Sequence, residues 1–290
     1  MKYQTTERGR QVLLAGMDIF GGSAICTGPN NIFSKFYQAA PIGITVEGSN
    51  ILTRNLITFG QGLNKSHPFI YPIFTAITDN DLTAFRTQFN GMIKMAVANY
   101  AKSFRVLGSQ SGNTKQRLDL LCIRFSNLSN FVALLGGKIK ANQMISGNMA
   151  DILSCIYMSH ALLNYKVGAG QAIRMVNEYC ISHLCNEAER KMNYVIDNYP
   201  NVYIRAFIKP FRYRELEMSI ADVNRLYELV VSSPEVLSVL KEDLYIPPSG
   251  DDSDSLVSKL ERLDKIPDRN SQEYMVLYDD IVSVGEFPVV

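Results

Sequence analysis

Tryptophan is absent from the 290-residue chain, and histidine occurs only three times. The missing tryptophan excludes nothing by itself, but three histidines leave little room for metal or imidazole-base chemistry. No uninterrupted apolar run approaches the ~18 residues of a membrane-spanning helix. The opening MKYQTTERGR is polar and leads into no apolar segment of the kind a secretion signal carries. Neither sign of charge dominates, with 29 Lys plus Arg against 28 Asp plus Glu. Such a balance exerts no broad pull on nucleic acid or an acidic membrane. The five cysteines, Cys26, Cys122, Cys155, Cys180 and Cys185, cannot all pair within one chain. Most fall inside apolar helical patterns, which reads as reduced, buried thiols in a cytoplasmic protein.

What the chain does have is helical periodicity. Apolar residues recur at helical spacing over about 5–19, 51–59, 79–104, 114–135, 142–165, 170–198, 219–232, 234–244 and 256–264. Gly21-Gly22, Gly60 with Gly62, and Gly136-Gly137 read as helix stops, and His67-Pro68 with Tyr71-Pro72 as a turn. Residues 23–50, rich in Gly, Pro, Asn and Ser, read as irregular chain around short helical turns, and the best strand signal, a short one, is Ile42 to Val46. Ile246 to Asp254 reads as an exposed loop. There is no fixed-period repeat. The class is all-α, a helical bundle.

Two short pieces can carry chemistry: Met17-Asp18-Ile19-Phe20-Gly21-Gly22, and Ile44-Thr45-Val46-Glu47-Gly48-Ser49-Asn50-Ile51-Leu52-Thr53-Arg54. Paired glycines let backbone approach a ligand closely, and a carboxylate followed by glycine ahead of a helix can project into a cleft. Taken singly, each is more often a helix stop or a turn. Together they resemble the acyl-CoA dehydrogenase family, in which a Phe-Gly-Gly step precedes a Glu-Gly-Thr/Ser-x-x-Ile/Leu-x-Arg loop by about two dozen residues. The wording PIGITVEGSNILTRNLITFGQG followed by His67-Pro68 is similar to the long bacterial fatty acyl-CoA dehydrogenases of β-oxidation, which carry an additional C-terminal helical region. The later Met149-Ala150-Asp151-Ile152-Leu153-Ser154 is similar to that region.

The resemblance implies residues 1–75 as the end of the family's C-terminal helical domain, carrying the base, and 76–290 as the additional helical domain. It implies Glu47 as the base that removes the α-proton of a fatty acyl-CoA while hydride leaves the β-carbon for the flavin of FAD. Gly48 would contact the thioester region. Ser49, Asn50 and Ile51 would lie near the adenosine phosphates. Asp18, Ile19, Phe20, Gly21 and Gly22 would touch the ADP half of FAD held mainly by a neighbouring subunit. Arg54 takes a structural or interface role. An electron-transfer acceptor would reoxidise the flavin.

The sequence also departs from the family. Asp18 stands where many members have Gln, and no Trp-containing flavin-contacting strand is found. The family's N-terminal helical and middle β-domains have no counterpart before Met1. The expectation is a chain inactive alone, whether a fragment, a split-gene product or a degraded copy, with the missing flavin-binding half or a homo-oligomer partner beside it. The rival expectation is a catalytically dead helical interaction or membrane-docking module.

Three further signals carry less. Cys180-x-x-His183-x-Cys185 mimics a metal motif, but residue 185 turns away from the face shared by 180 and 183, and no fourth ligand is near. Tyr203 to Arg214 mixes aromatics with Arg205, Lys209, Arg212 and Arg214. It reads either as a loop docked on the bundle or as a peripheral contact with the inner membrane, in a chain with no nucleic-acid partner. Asp151 and His160 share a helix and receive no role.

Overall fold

The computed structural model describes residues 1–26, 31, 33–105, 114–165, 170–214, 218–242 and 256–282. These form two compact units, one of residues 51–242 and one of residues 1–50 with the C-terminal helices. Each is all-α, and no β-strand occurs among the described residues. No helix among them is long and apolar enough to cross a membrane. The loop read at 246–254 lies outside the described residues.

The larger unit is a helical bundle centred on α9 (Gln143–Leu163), flanked by α8 (Thr114–Ala133) and α10 (Gln171–Asp197). Leu118, Leu121, Leu128 and Val132 from α8 meet Ile145, Met149, Ile152 and Cys155 from α9 and Ile181, Cys185, Ala188, Met192 and Val195 from α10. Each large aliphatic side chain buried this way contributes about 1.5–3 kcal/mol.

Helix α9 is buried over most of its first four turns, and Ser146, Gly147, Ala150 and Ser154 are small. That strip receives a second helical segment, which opens at Asn50–Leu52, continues as a π-helix over Thr53–Gln61 and closes as an α-helix over Gly62–Ser66. The sequence reading ended this helix at Gly60, and the structure runs it through both glycines. The reason is tertiary: a Cβ built on Gly60 would lie 3.7 Å from Ser146 Oγ, so the segment seats closely on α9. Inside it, Thr58 Oγ1 donates to the Thr53 carbonyl five residues back, at 2.9 Å, matching the wider π turn.

His67 ends this segment and starts the next helix, Ile70–Thr78. Its Nδ1 accepts from the Phe69 and Ile70 amides at 3.2 and 3.3 Å. Pro72 falls in the first turn, where a missing N–H costs nothing. The predicted turn at Tyr71-Pro72 is therefore helical, and only the 67–69 corner bends. Leu82–Arg105 follows as one long helix.

The stretch from Tyr203 to Arg214 docks through part of its length. Val202–Ile208 is helical, a feature the sequence reading missed, and Lys209–Phe211 is a 3-10 turn. Ile208, Phe211 and Tyr213 are buried in the main core. Asn193 holds the end of the stretch with reciprocal bonds, accepting from the Tyr213 amide at 2.8 Å and donating to the Tyr213 carbonyl at 3.0 Å. Tyr203 stays 83% exposed and Phe207 51% exposed.

In the smaller unit, α1 (Lys2–Phe20) packs along α3 (Phe33–Thr45). The strand read at Ile42 to Val46 is a helix end, with Val46 N–H bonded to the Ile42 carbonyl at 3.0 Å. A short apolar run does not distinguish strand from helix, and a cap decides it here. Asn31 Oδ1 accepts from the Phe33 and Ser34 amides at 3.0 and 2.9 Å, while its Nδ2 donates to the Ala24 and Cys26 carbonyls. The C-terminal helices Leu256–Asp264 and Gln272–Val282 form a second small core around Leu277 and Ile281, which Phe20 joins.

Candidate functional site

Helix α3 stops at Thr45, and the chain reverses through Glu47 and Gly48. Glu47 has φ 55° and Gly48 φ 88°. Glycine takes such values freely. For glutamate the left-handed region costs roughly 1–2 kcal/mol, and only one other non-glycine residue among those described, Asn80, adopts it. Asn tolerates that conformation through its short polar side chain, and glutamate has no such relief. Strain of this kind persists where surrounding structure over-determines it.

The surrounding structure here is the start of α1. Lys2 Nζ donates to the Gly48 carbonyl at 2.9 Å, the Asn50 Oδ1 at 3.0 Å and the Ile44 carbonyl at 3.5 Å. Asn50 is buried, and its Nδ2 donates to Thr6 Oγ1 at 2.9 Å and Glu7 Oε1 at 3.0 Å. The turn is thus fixed from beneath, while Glu47 and Ser49 are exposed. A carboxylate on an exposed, rigid turn can accept a proton from whatever is laid against it.

The residues singled out from sequence fall into two groups. Glu47, Gly48, Ser49 and Asn50 cluster at the start of α1, with Ile51 next in chain and exposed. Asp18, Ile19, Phe20, Gly21 and Gly22 lie at the other end of that helix, on the order of 25–30 Å away by helical rise. One chain therefore does not bring them together. Asp18, Ile19, Gly21 and Gly22 are exposed, and Phe20 rests edge-on against Phe33 at 5.0 Å. Gly21 has φ 55°, and a Cβ at Gly21 or Gly22 would meet nothing within 4 Å. Asn50 differs from its neighbours in spending its amide inside the chain.

Arg54 lies on the π-helix and grips Asp151 of α9, to which the sequence reading gave no role. Nε reaches Oδ1 at 2.9 Å and Nη2 reaches Oδ2 at 2.6 Å. Lys191 of α10 reaches the same Oδ2 at 2.8 Å. Desolvation pushes the Asp151 carboxyl up, but hydrogen bonds and charge from Arg54 and Lys191 outweigh it and hold the group below its ordinary value. Lys2, Thr6 and Glu7 were also missed. No local pattern links them to a turn more than forty residues on.

Of the cysteine motif, Cys185 is buried in the core beside α8, and desolvation pushes its thiol up to about 11. A neutral thiol of that kind is a poor metal ligand. Cys122 is likewise pushed to about 11 by desolvation, and its Sγ lies 3.5 Å from His160 Nε2.

The family model described as acyl-CoA dehydrogenase, C-terminal, bacterial type, matches residues 64–266. The chain belongs to that family. The match covers most of the larger unit and begins after the Glu47 turn. No solved structure matches the chain.

Proposed function

We propose that the chain supplies the base of an FAD-dependent acyl-CoA dehydrogenase acting on fatty acyl-CoA in β-oxidation. The observation that carries this reading is the left-handed Glu47, exposed on a turn fixed from beneath by Lys2 and Asn50. In this reading Glu47 takes the α-proton, and Gly48 admits the thioester because it has no side chain. FAD, which Asp18 to Gly22 and the Ser49–Ile51 backbone would help to hold, would supply the acceptor for the β-hydride, and a separate electron acceptor would take the two electrons on.

Glu47 is exposed, so in this reading further protein has to enclose the substrate, whether a flavin-binding half or another copy of the chain. Asp18 to Gly22, at the far end of α1, would serve the ADP edge of FAD at a different site from the one Glu47 serves. The side chain of Asn50 acts in this reading as a support and its backbone as the cofactor contact.

The test isolates the tagged chain, with whatever it holds, from its own cells and follows the flavin band on adding a long-chain acyl-CoA. Bleaching that slows by roughly 10²–10⁴-fold in Glu47→Gln is expected for loss of a general base. A complex without flavin, or one that bleaches equally fast in Glu47→Gln, overturns the reading.

A second reading, a docking module on the inner membrane, is favoured by one observation. Val202, Tyr203, Ala206 and Phe207 make the outward arc of a helix whose solvent side is apolar, with Arg205, Lys209, Arg212 and Arg214 around it. Interfacial helices combine aromatics with cations in this way. Co-sedimentation with anionic vesicles at low salt is expected, weakened in Tyr203→Ser with Phe207→Ser. Equal sedimentation of both forms removes the reading.

A further inference from the structure

We propose that Lys2 is a positioning residue for Glu47, a clasp that holds the 47–48 turn in its left-handed form. This rests on the reading of Glu47 as the base.

Lys2 lies on α1, and its ammonium reaches three oxygen acceptors at the turn 42–48 residues away, the carbonyls of Ile44 and Gly48 and the Asn50 amide oxygen. An ammonium has three donors and no acceptor, so this set matches its capacity.

The three acceptors bracket Glu47 on both sides. Ile44 lies in the last turn of α3, Gly48 follows the base, and Asn50 opens the next helix. Fixing the Gly48 carbonyl also fixes the plane of the Gly48–Ser49 peptide, because that bond is planar. Asn50 cannot take over the role. Its Nδ2 is directed to Thr6 and Glu7 of α1, and its Oδ1 accepts from Lys2. Among the described residues, Lys2 is the donor that reaches the Gly48 carbonyl, and removing the ammonium removes that bond. The Glu47 backbone then relaxes toward the right-handed region that glutamate prefers, and its carboxylate moves off line.

The test has a backbone arm and a kinetic arm. In the full chain, the φ-sensitive NMR couplings of Glu47 are compared between wild type, Lys2→Met, Lys2→Gln and Lys2→Arg. Gly21, left-handed at the far end of α1, serves as the folding control. Loss of the left-handed signature at Glu47 is expected in the Met and Gln variants, with Gly21 unchanged, and retention is expected in Lys2→Arg. In the flavin complex isolated from cells, Lys2→Met is expected to slow flavin reduction by roughly ten- to a hundredfold without changing the acyl-CoA concentration for half saturation. Lys2→Arg is expected to restore it.

A left-handed Glu47 in both Lys2→Met and Lys2→Gln overturns the clasp. So does a lost signature with an unchanged rate. If Glu47→Gln itself leaves the rate unchanged, the base reading fails instead, and the backbone arm still decides whether Lys2 sets the turn.

Discussion

Arg54 holds Asp151 through both carboxylate oxygens, at 2.9 and 2.6 Å, and in doing so ties the π-helix to the centre of the bundle. Lys191 shares one of those oxygens, so a single carboxylate is held between two cations. All three side chains are at most 29% exposed. Removing the acid takes both carboxylate bonds from Arg54 and leaves Lys191 the longer contact with Glu187, at 4.0 Å, in this cluster. Asp151→Ala is expected to destabilise the chain by about 3 kcal/mol, read as a lowered urea midpoint. An unchanged midpoint would show that the pair carries no net stability.

The same carboxylate sets a pH dependence. Its pKa is held below the unfolded value, so its stabilisation is fully present above about pH 4, the unfolded value, and is lost as pH falls through the folded pKa. Asp151→Asn is expected to flatten the fall of stability below about pH 4. The check is a pH series of thermal midpoints for both proteins. Parallel curves would assign the acid response to other groups.

Gly147 makes the Arg54 seat possible. A Cβ at this position would stand 2.6 Å from both Arg54 Nη1 and Asn55 Oδ1. Alanine ordinarily favours a helix over glycine by about 1 kcal/mol, yet Gly147→Ala is expected to lower the urea midpoint, because displacing the guanidinium costs about 1–3 kcal/mol. A midpoint that rises would mean the guanidinium finds Asp151 by another path.

The helices of the larger unit were legible because their cores obey one period. Leu118, Leu121, Leu128 and Val132 sit on one face in sequence and are buried together in the structure. Glu47 and Gly48 were legible as a turn from the glycine. The π-helix was not, because nothing in Thr53 to Gln61 announces a wider turn, and the small strip of α9 that accepts it is about ninety residues away. Helix α3 was hidden by Pro41 and by a cap at Asn31 that satisfies two amides at once. Lys2 could not be found from local spacing, since its acceptors arrive through tertiary packing.

Burial leaves Cys122 and Cys185 with thiols near 11, far above the ~8.5 of a free cysteine. At pH 8 their thiolate fraction is lower by roughly 10²-fold. In the folded chain both are expected to label with iodoacetamide at least that much more slowly than after unfolding, mapped by peptide mass spectrometry. The sign for stability follows: the neutral thiols favour the fold fully below about pH 8.5, and the contribution falls as pH rises from there toward about 11. Labelling of folded and unfolded Cys185 at equal rates would contradict its burial in the core.

Arg124 poses a sharper choice between charge and packing. It is 1% exposed, its Nη1 donates to the Phe211 carbonyl at 3.4 Å, and its guanidinium lies 4.3 Å from the centre of the Tyr213 ring. Its Nε and Nη2 are buried and make no hydrogen bond of ordinary length and angle among the described residues, although the guanidinium also acts on the Tyr213 hydroxyl by charge and a side-chain contact. Two unsatisfied donors cost about 1–3 kcal/mol each, against about 2 kcal/mol for a desolvated cation–π contact. The balance favours an apolar side chain of similar length. Arg124→Met is expected to keep or raise the urea midpoint, whereas Arg124→Ala, which leaves a void among Leu128, Met192 and Phe211, is expected to lose about 2–4 kcal/mol. If Arg124→Met proves as damaging as Arg124→Ala, the guanidinium has a partner in the folded protein that satisfies those two nitrogens, and the charge itself holds the 208–213 segment to the bundle.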